Sequence, residues 1–371
     1  MRQALRLAQR GLGSVAPNPP VGAVAVRDGE VVATGYHARF GGPHAEAALI
    51  ASVADGALRG ADLYVTLEPC AHQGKTPPCT DAIIRAGFRR VHYAVADPNP
   101  LTHGQGPARL AAAGIAVDSG LCADESRWLL APFLRWIRER LPIVTLKWAM
   151  TADGRIASRT GDARWISSTT ALAYTRRARR AFDAILIGSG TLLRDDPQLL
   201  SSGRGAQHPL RVLLDGRLRL TLQHRLVTTA RTSPVLVATR ATRGDVARER
   251  RSAELAAAGL EIAQLPSHVD SGIDLRALLG LLGERGITHV LVEGGSRVHG
   301  AFFDAGLADR VQMILAPKLI GGSAALAPIG GGGLERMADA CDLRSTRLRR
   351  LGADLLLEGC LTPAGAGLAV W

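Results

Sequence analysis

The sequence predicts an α/β protein built from two layered domains, and three observations carry that prediction. Apolar runs of strand length alternate with helical patterns through the first ~120 residues. An amphipathic stretch carrying three bulky aromatics, 124-DESRWLLAPFLRWIRER-140, closes at Pro142, and the alternation restarts behind it with 143-IVTLKWAM-150. Finally, 371 residues with 47% hydrophobic content are enough to bury more than one core.

In order, 21-VGAVAV-26 and 30-EVVATGY-36 read as strands and 44-HAEAALIASVAD-55 as a helix. Strand 62-DLYVTL-67, a helix near 80-TDAIIRAG-87, strand 90-RVHYAVA-96, helix 106-GPARLAAAG-114 and strand 115-IAV-117 follow. The expected division is a domain over 1–122, a connecting helix over 123–142 and a second domain over 143–371. Strands of the second domain include 184-AILIG-188, 211-RVLLD-215, 234-PVLVAT-239, 288-THVLVEGG-295, 310-RVQMILAP-317 and 354-DLLLEGC-360. No fixed-period repeat is present.

Charge and cysteine content narrow the function. The N-terminal apolar run is too short for a secretory signal, and no stretch of about 20 apolar residues offers a membrane span, so a cytoplasmic protein is expected. Five scattered cysteines make no disulfide framework and point instead to metal-bound or reactive thiols, with Cys122, Cys341 and Cys360 read as packing residues. A net charge of +12 raises the question of nucleic acid. The arginines are dispersed, however, and aromatics make up only 4% of residues, too few to stack many bases. The basic balance is left with two readings, a solvated face or sites for small phosphorylated ligands.

The chemistry concentrates in 43-PHAEAAL-49 and 65-VTLEPCAHQGKTPPCTDAI-83. His44, Glu46 two residues on, and Pro69-Cys70 at a strand end form the layout of zinc deaminases acting on cytosine or adenine. Zn²⁺ accepts imidazole nitrogen and thiolate, and three protein ligands leave a fourth position for water whose pKa falls toward 7. Glu46, not a ligand, is the proton shuttle. His44 and Glu46 are about 200° apart on a helical wheel, so they converge only if the helix aims its N-terminal end at the metal, and Pro43 suits such a start. Cys79 follows Pro77-Pro78 and opens a helix, where the dipole favours thiolate. Eight residues separate Cys70 from Cys79 in place of the usual two, an extension that costs little closure entropy.

The combination 17-PNPPVGAVAV-26, 35-GYH-37, 43-PHAEAAL-49, 66-TLEPCAHQGKTPPC-79 and 97-DPNP-100 resembles the deaminase half of the bifunctional riboflavin-biosynthesis deaminase/reductases. The resemblance implies a cytidine-deaminase-like three-layer fold, zinc on His44, Cys70 and Cys79, and a pocket lined by Asn18, His37, Lys75 and Asn99. Lys75 suits the ribose phosphate, the alternative being a solvated loop lysine. The segments 145-TLKWAMTADGRIA-157, 160-TGDARWISS-168, 184-AILIGSGTLLRDDPQL-199, 290-VLVEGGSRVHGAFF-303 and 315-LAPKLIGG-322 look like the reductase half, which has a dihydrofolate-reductase-like fold and uses NADPH.

Read from the residues, Gly294-Gly295-Ser296 between strand and helix is either a phosphate cradle or an ordinary tight turn. The resemblance places Ala149, Trp165, Thr191, Asp195, Gly216, Gly295, Ser296, Arg297, Val298, His299, Gly300 and Ala301 at nucleotide-binding positions, and Arg179, Leu199 and Glu293 at substrate-binding ones. Lys147 and Asp195 are expected nearest the sugar carbon that receives hydride. A snorkelling strand-end lysine and a turn aspartate before Pro197 are the plain alternatives. Where the family carries Thr-x-Arg, this chain reads 195-DDPQLLSSGR-204, so Arg204 is the substitute phosphate ligand, and Ala163 stands where relatives present a hydroxyl.

The expected activity is deamination of a diaminopyrimidine ribotide followed by reduction of its ribosyl group to ribityl. The implied partners are small phosphorylated pyrimidines, with no nucleic acid, no membrane and a homo-oligomeric assembly. The rival reading is a nucleic-acid base deaminase with a basic C-terminal binding module, against which the long cysteine loop counts.

Overall fold

The computed structural model describes residues 1–73, 77–100, 102–203, 208–267 and 272–362. The chain divides into two compact units, Met1–Leu141 and Pro142 onward.

In the first unit, β1 (Gly22–Arg27), β2 (Glu30–Tyr36), β3 (Asp62–Val65), β4 (Arg90–Tyr93) and β5 (Ala116–Ser119) form one sheet in the order β2-β1-β3-β4-β5. β1 runs antiparallel to β2 and β3, while β3, β4 and β5 are parallel. The central strands are the buried ones: Ala23 and Ala25 of β1, Leu63 and Val65 of β3 and Val91 of β4 are fully enclosed, whereas the border strand β5 is largely exposed. The helix expected over 44–55 spans only Ala45–Ile50, because 51-ASVADG-56 turns away at once.

The stretch expected as a connector, now helix Ala123–Glu139, buries Leu130, Phe133 and Leu134 in the core of the first unit. An apolar helix face is stable only where something covers it, and here that is the deaminase-motif sheet. This helix packs within the first unit.

The second unit holds β6 (Ile143–Thr151), β7 (Ala184–Gly188), β8 (Leu210–Leu214), β9 (Val235–Arg240), β10 (Glu261–Leu265), β11 (His289–Val292), β12 (Arg310–Ala316), β13 (Asp342–Leu351) and β14 (Asp354–Thr362). They make a nine-stranded sheet in the order β10-β9-β8-β7-β11-β6-β12-β14-β13. The strands from β10 to β12 are parallel, and the β13–β14 hairpin closes the far side antiparallel. β11 inserts between β7 and β6, so chain direction along the sheet reverses there. Such a switch point opens a crevice at the carboxyl ends of the strands.

The loop after β12 is fastened to helix Ser296–Asp304. Gly330 N–H donates to Ser296 O, and the Asp304 carboxylate accepts from Gly332 and Gly333. A Cβ on Gly300 would lie 2.1 Å from Gly330 O, so only glycine permits this approach. Among the described residues no helix is long and apolar enough to cross a membrane.

Candidate active sites

His44 caps helix Ala45–Ile50 and Glu46 sits in its first turn, so the helix end faces the site and brings both residues together. Cys70 follows β3, and Cys79 is the first residue of helix Cys79–Ala86. The metal-ligand atoms of His44, Cys70 and Cys79 all lie within 4.8 Å of one another. His44 Nδ1 stands 3.3 Å from Cys79 Sγ and 3.6 Å from Cys70 Sγ. A tetrahedral ion with Zn–S near 2.3 Å and Zn–N near 2.05 Å places nitrogen and sulfur about 3.5 Å apart, so the donor set fits zinc.

The charges agree with that fit. The thiol of Cys70 is driven down, first by its hydrogen bond with Cys79, and Cys79 is driven up by the same bond and by burial. Two adjacent thiolates need a cation before both can ionise. Glu46, 4% exposed, is raised to about 7 by burial and then by the charge on Cys70.

The pocket beside these residues encloses about 320 Å³ and takes in Asn18, His37, Asn99, Phe40, Trp136 and Ile137. His37 Nδ1 is 2.8 Å from Pro43 O and must donate to it, so Nε2 accepts from Asn18 Nδ2 at 3.2 Å. Burial lowers the His37 pKa, consistent with that neutral tautomer. Asn99 N–H donates to Asp97 Oδ1, and Asp97 N–H to Glu68 Oε2, tying the 97-DPNP-100 turn to the segment that leads from β3 to Cys70. Gly106 lets another segment come close: a Cβ there would meet Pro69 O at 2.0 Å.

Sequence reasoning missed Trp136 and Ile137, which carried no signal beyond an amphipathic pattern. It also missed Glu68 and Asp97, whose signal lay inside the quoted motifs. Lys75 lies outside the described residues.

In the second unit a cleft of about 890 Å³ runs along the carboxyl ends of the parallel strands. Lys147, Ala149, Thr191, Asp195, Gly216, Glu293, Gly295, Ser296, Arg297, Val298, His299 and Ala301 all line it. Helix Ser296–Asp304 has no side-chain cap, so its first N–H groups are available to an anion. Gly300 faces the Gly330 loop. His299, 1% exposed, spans Val292 O and Pro328 O at 3.1 Å each.

Arg179 makes a two-pronged contact with Glu293, Nε to Oε1 and Nη2 to Oε2, both at 2.9 Å, and spends Nη1 on Leu200 O. Its donors are turned to the protein, and it is absent from the cleft wall. Burial opposes the charge on Glu293, but Arg179 and Lys147 outweigh it and hold the carboxyl down to about 2. Burial lowers the Lys147 pKa, with Glu293 resisting.

Asp195 is exposed, with Arg164 Nη2 3.7 Å away. Leu199, buried in the core with φ 56°, has only its backbone to offer a ligand. Trp165 is 64% exposed outside the cleft wall, and its carbonyl accepts from Lys318 Nζ at 2.7 Å. Arg204 lies outside the described residues.

Comparison with known proteins accounts for both units. The family profile described as "Cytidine and deoxycytidylate deaminase zinc-binding region" matches residues 1–95, and that described as "RibD C-terminal domain" matches 142–357. The chain is 39% identical to riboflavin biosynthesis protein RibD of Actinobacillus pleuropneumoniae, covering 96% of this chain and 93% of that one. It is 37% identical to RibD of Escherichia coli, covering 96% and 97%. Among solved structures, Acinetobacter baumannii RibD superposes with a TM-score of 0.83 at 34% identity over 97% of each chain. The diaminohydroxyphosphoribosylaminopyrimidine deaminase/5-amino-6-(5-phosphoribosylamino)uracil reductase of Thermotoga maritima gives 0.81 at 36%, covering 98% of this chain and 97% of that one.

Proposed function

The chain belongs to the riboflavin-biosynthesis family of fused deaminase/reductases, and on that premise we propose how its own residues divide the work. It is a bifunctional enzyme. One unit is a zinc-dependent aminohydrolase acting on 2,5-diamino-6-(5-phosphoribosylamino)pyrimidin-4(3H)-one. The other is an NADPH-dependent reductase that converts the ribosyl group of the deaminated product to ribityl.

When bound, zinc supplies the Lewis acidity that makes water nucleophilic near neutral pH, and NADPH supplies the hydride. His44, Cys70 and Cys79 hold the metal. Glu46 takes a proton from the attacking water and hands it to the ring nitrogen, then takes the remaining proton of the added hydroxyl and hands that to the amino group, which leaves as ammonia as the carbonyl forms. Asn18, set by His37, and Asn99 orient the pyrimidine, and Lys75 takes the phosphate.

In the reductase, Lys147 and Asp195 handle the proton that accompanies reduction at C1′. Glu293, oriented by Arg179, anchors the sugar, with Leu199 contributing backbone and Arg204 meeting the phosphate. Ala149, Trp165, Thr191, Gly216 and the run Gly295 to Ala301 hold the nucleotide. Small phosphorylated pyrimidines are the ligands consistent with this family, and the reading extends to a cytoplasmic homo-oligomer, which light scattering on the purified chain tests.

The observation that supports the deaminase roles most directly is the convergence of three soft ligand atoms within 4.8 Å beside a buried carboxylate. The test is a coupled assay on the diaminopyrimidine ribotide, recording ammonia release and reduced-nicotinamide absorbance together. Ammonia without NADPH, then stoichiometric oxidation once it is added, is the expected result. Glu46→Gln should abolish the first signal, and its persistence would overturn the proton-shuttle role.

A further inference from the structure

Glu68 stands where two parts of the deaminase pocket meet. It lies two residues before Cys70, is 4% exposed, and lines the pocket beside the segment that runs from Asp97 to Gly104. That segment contributes Asp97, Asn99 and Thr102 to the wall. β4 ends at Tyr93 and the next helix begins at Gln105, and none of the described residues from Asp97 to Gly104 belongs to a strand or helix. Its shape therefore depends on what satisfies its backbone.

Glu68 meets the segment at both ends. At the entry its backbone N–H donates to Val95 O at 2.9 Å, and its Oε2 accepts from Asp97 N–H at 3.1 Å. At the exit, where helix Gln105–Ala112 begins, the N–H groups of Gly104 and Gly106 are turned toward the same carboxylate, and Glu68 Cγ lies 3.7 Å from where a Gly106 Cβ would stand. Burial raises the Glu68 pKa, and the N–H groups of Asp97, Gly104 and Gly106 resist the rise. Oε1 makes no full hydrogen bond, so it rests in the field of these donors, which the helix's own ladder leaves unused. Between the two anchors the N–H groups of Thr102 and His103 both donate to Asn99 O, at 2.8 and 2.9 Å, closing the turn that carries Asn99.

We propose that Glu68 is a positioning residue of the deaminase, which fixes Asn99 relative to the metal-binding residues so that both meet the same pyrimidine ring. This deepens the deaminase reading above and rests on it. Glu68 and Cys70 share one short stretch with Pro69 between them, so the segment that places the thiol also places the carboxylate, and the carboxylate places the loop. The ring carbon that loses its amino group has to sit beside the metal ligands while Asn99 holds the ring, and a misplacement of about 1 Å between the two costs about a hundredfold in rate. A carboxylate suits the task because every backbone group turned to it donates. An amide offers one acceptor and one donor, and would set its NH₂ against one of those N–H groups.

The test is a double-mutant cycle on the full chain, read as kcat/KM for ammonia release from the diaminopyrimidine ribotide, with zinc content and reductase activity as controls. Glu68→Gln should raise KM and lower kcat/KM by roughly tenfold to a hundredfold, while a full zinc equivalent is retained and the second unit still reduces pre-deaminated substrate. Added to Asn99→Ala, it should cost less than about threefold more, because the contact it positions is already gone. Added to Asn18→Ala, whose side chain is set by His37 on another segment, it should cost its full factor. Equal coupling to Asn18 and Asn99, or full additivity with both, would overturn the proposal while leaving the deaminase reading standing, as would loss of zinc from Glu68→Gln. Hydrogen exchange of the wild-type chain checks the same contacts without a substitution: the amides of Asp97 and Gly106 should exchange at least about a hundredfold more slowly than open backbone, and free exchange at both would overturn the proposal. Absence of ammonia release from the wild type would overturn the deaminase reading and the proposal with it.

Discussion

Replacing Arg179 by Met should cost the reductase unit several kcal/mol and change how its stability depends on pH. The pair is enclosed, with side-chain exposures of 15% for Arg179 and 10% for Glu293, and the guanidinium meets both carboxylate oxygens at 2.9 Å. Glu293 falls from an ordinary 4.5 to about 2, which at about 1.4 kcal/mol per unit corresponds to about 3 kcal/mol of stabilisation. That agrees with the roughly 3–5 kcal/mol lost when one partner of a buried pair is removed. Because the folded-state pKa lies below the unfolded one, this stabilisation is complete above about pH 4.5 and disappears as pH falls toward 2. Urea unfolding of wild type and Arg179→Met, followed by circular dichroism, should give a difference of about 3 kcal/mol near pH 7. The difference should shrink steadily below about pH 4.5. A difference under about 1 kcal/mol, or one that does not change between about pH 7 and pH 3, would refute the argument that Arg179 is the main group, ahead of Lys147, keeping Glu293 ionised. The same variant should raise the reductase substrate's KM much more than that of NADPH.

Three other outcomes are expected. Cys79→Ser should lose zinc and deaminase activity while the second unit still reduces pre-deaminated substrate; a full zinc equivalent by elemental analysis would contradict the ligand assignment. Gly106→Ala should push Pro69, and with it Cys70, out of place at a cost of about 1–3 kcal/mol, lowering ammonia release tenfold or more. An unchanged rate would mean that segment does not set the thiol. Arg211 is fully buried without a carboxylate and donates to Gln198 O, Thr229 Oγ1, Thr229 O and Ser233 O, so Arg211→Met should free the Asp195–Leu199 segment. Faster amide exchange there, with loss of reductase activity, is the predicted signature, and wild-type protection would rule out the tether.

What the chain discloses before folding depends on whether chemistry or packing is in question. His44, Glu46, Cys70 and Cys79 were legible because ligand type and order survive a longer loop. The pairing of Arg179 was not legible, since nothing local says that Glu293, 114 positions away, takes two of its donors. The joint lining of the cleft by Arg217 and Arg240 was invisible for a related reason: the segments after β8 and β9 come together only because those strands are neighbours. Helix Ala123–Glu139 displayed its apolar face plainly, but periodicity does not name what covers a face, so Trp136 and Ile137 went unnoticed as pocket walls. The insertion of β11 between β7 and β6, which creates the cleft, had no sequence signal.

Strand β13 bears on the chain's surplus of positive charge. It forms one border of the nine-stranded sheet, runs for ten residues, and carries Arg344, Arg347, Arg349 and Arg350, all exposed, with a register break between Arg344 and Arg347. A border strand of that length is a template on which an unfolded neighbour can crystallise its own backbone. Any chain of the same kind that tried to extend the sheet would have to lay like charges against like across a broken ladder. A part of the basic balance is in this sense defensive, spent on keeping copies of the protein from knitting together rather than on grasping anything.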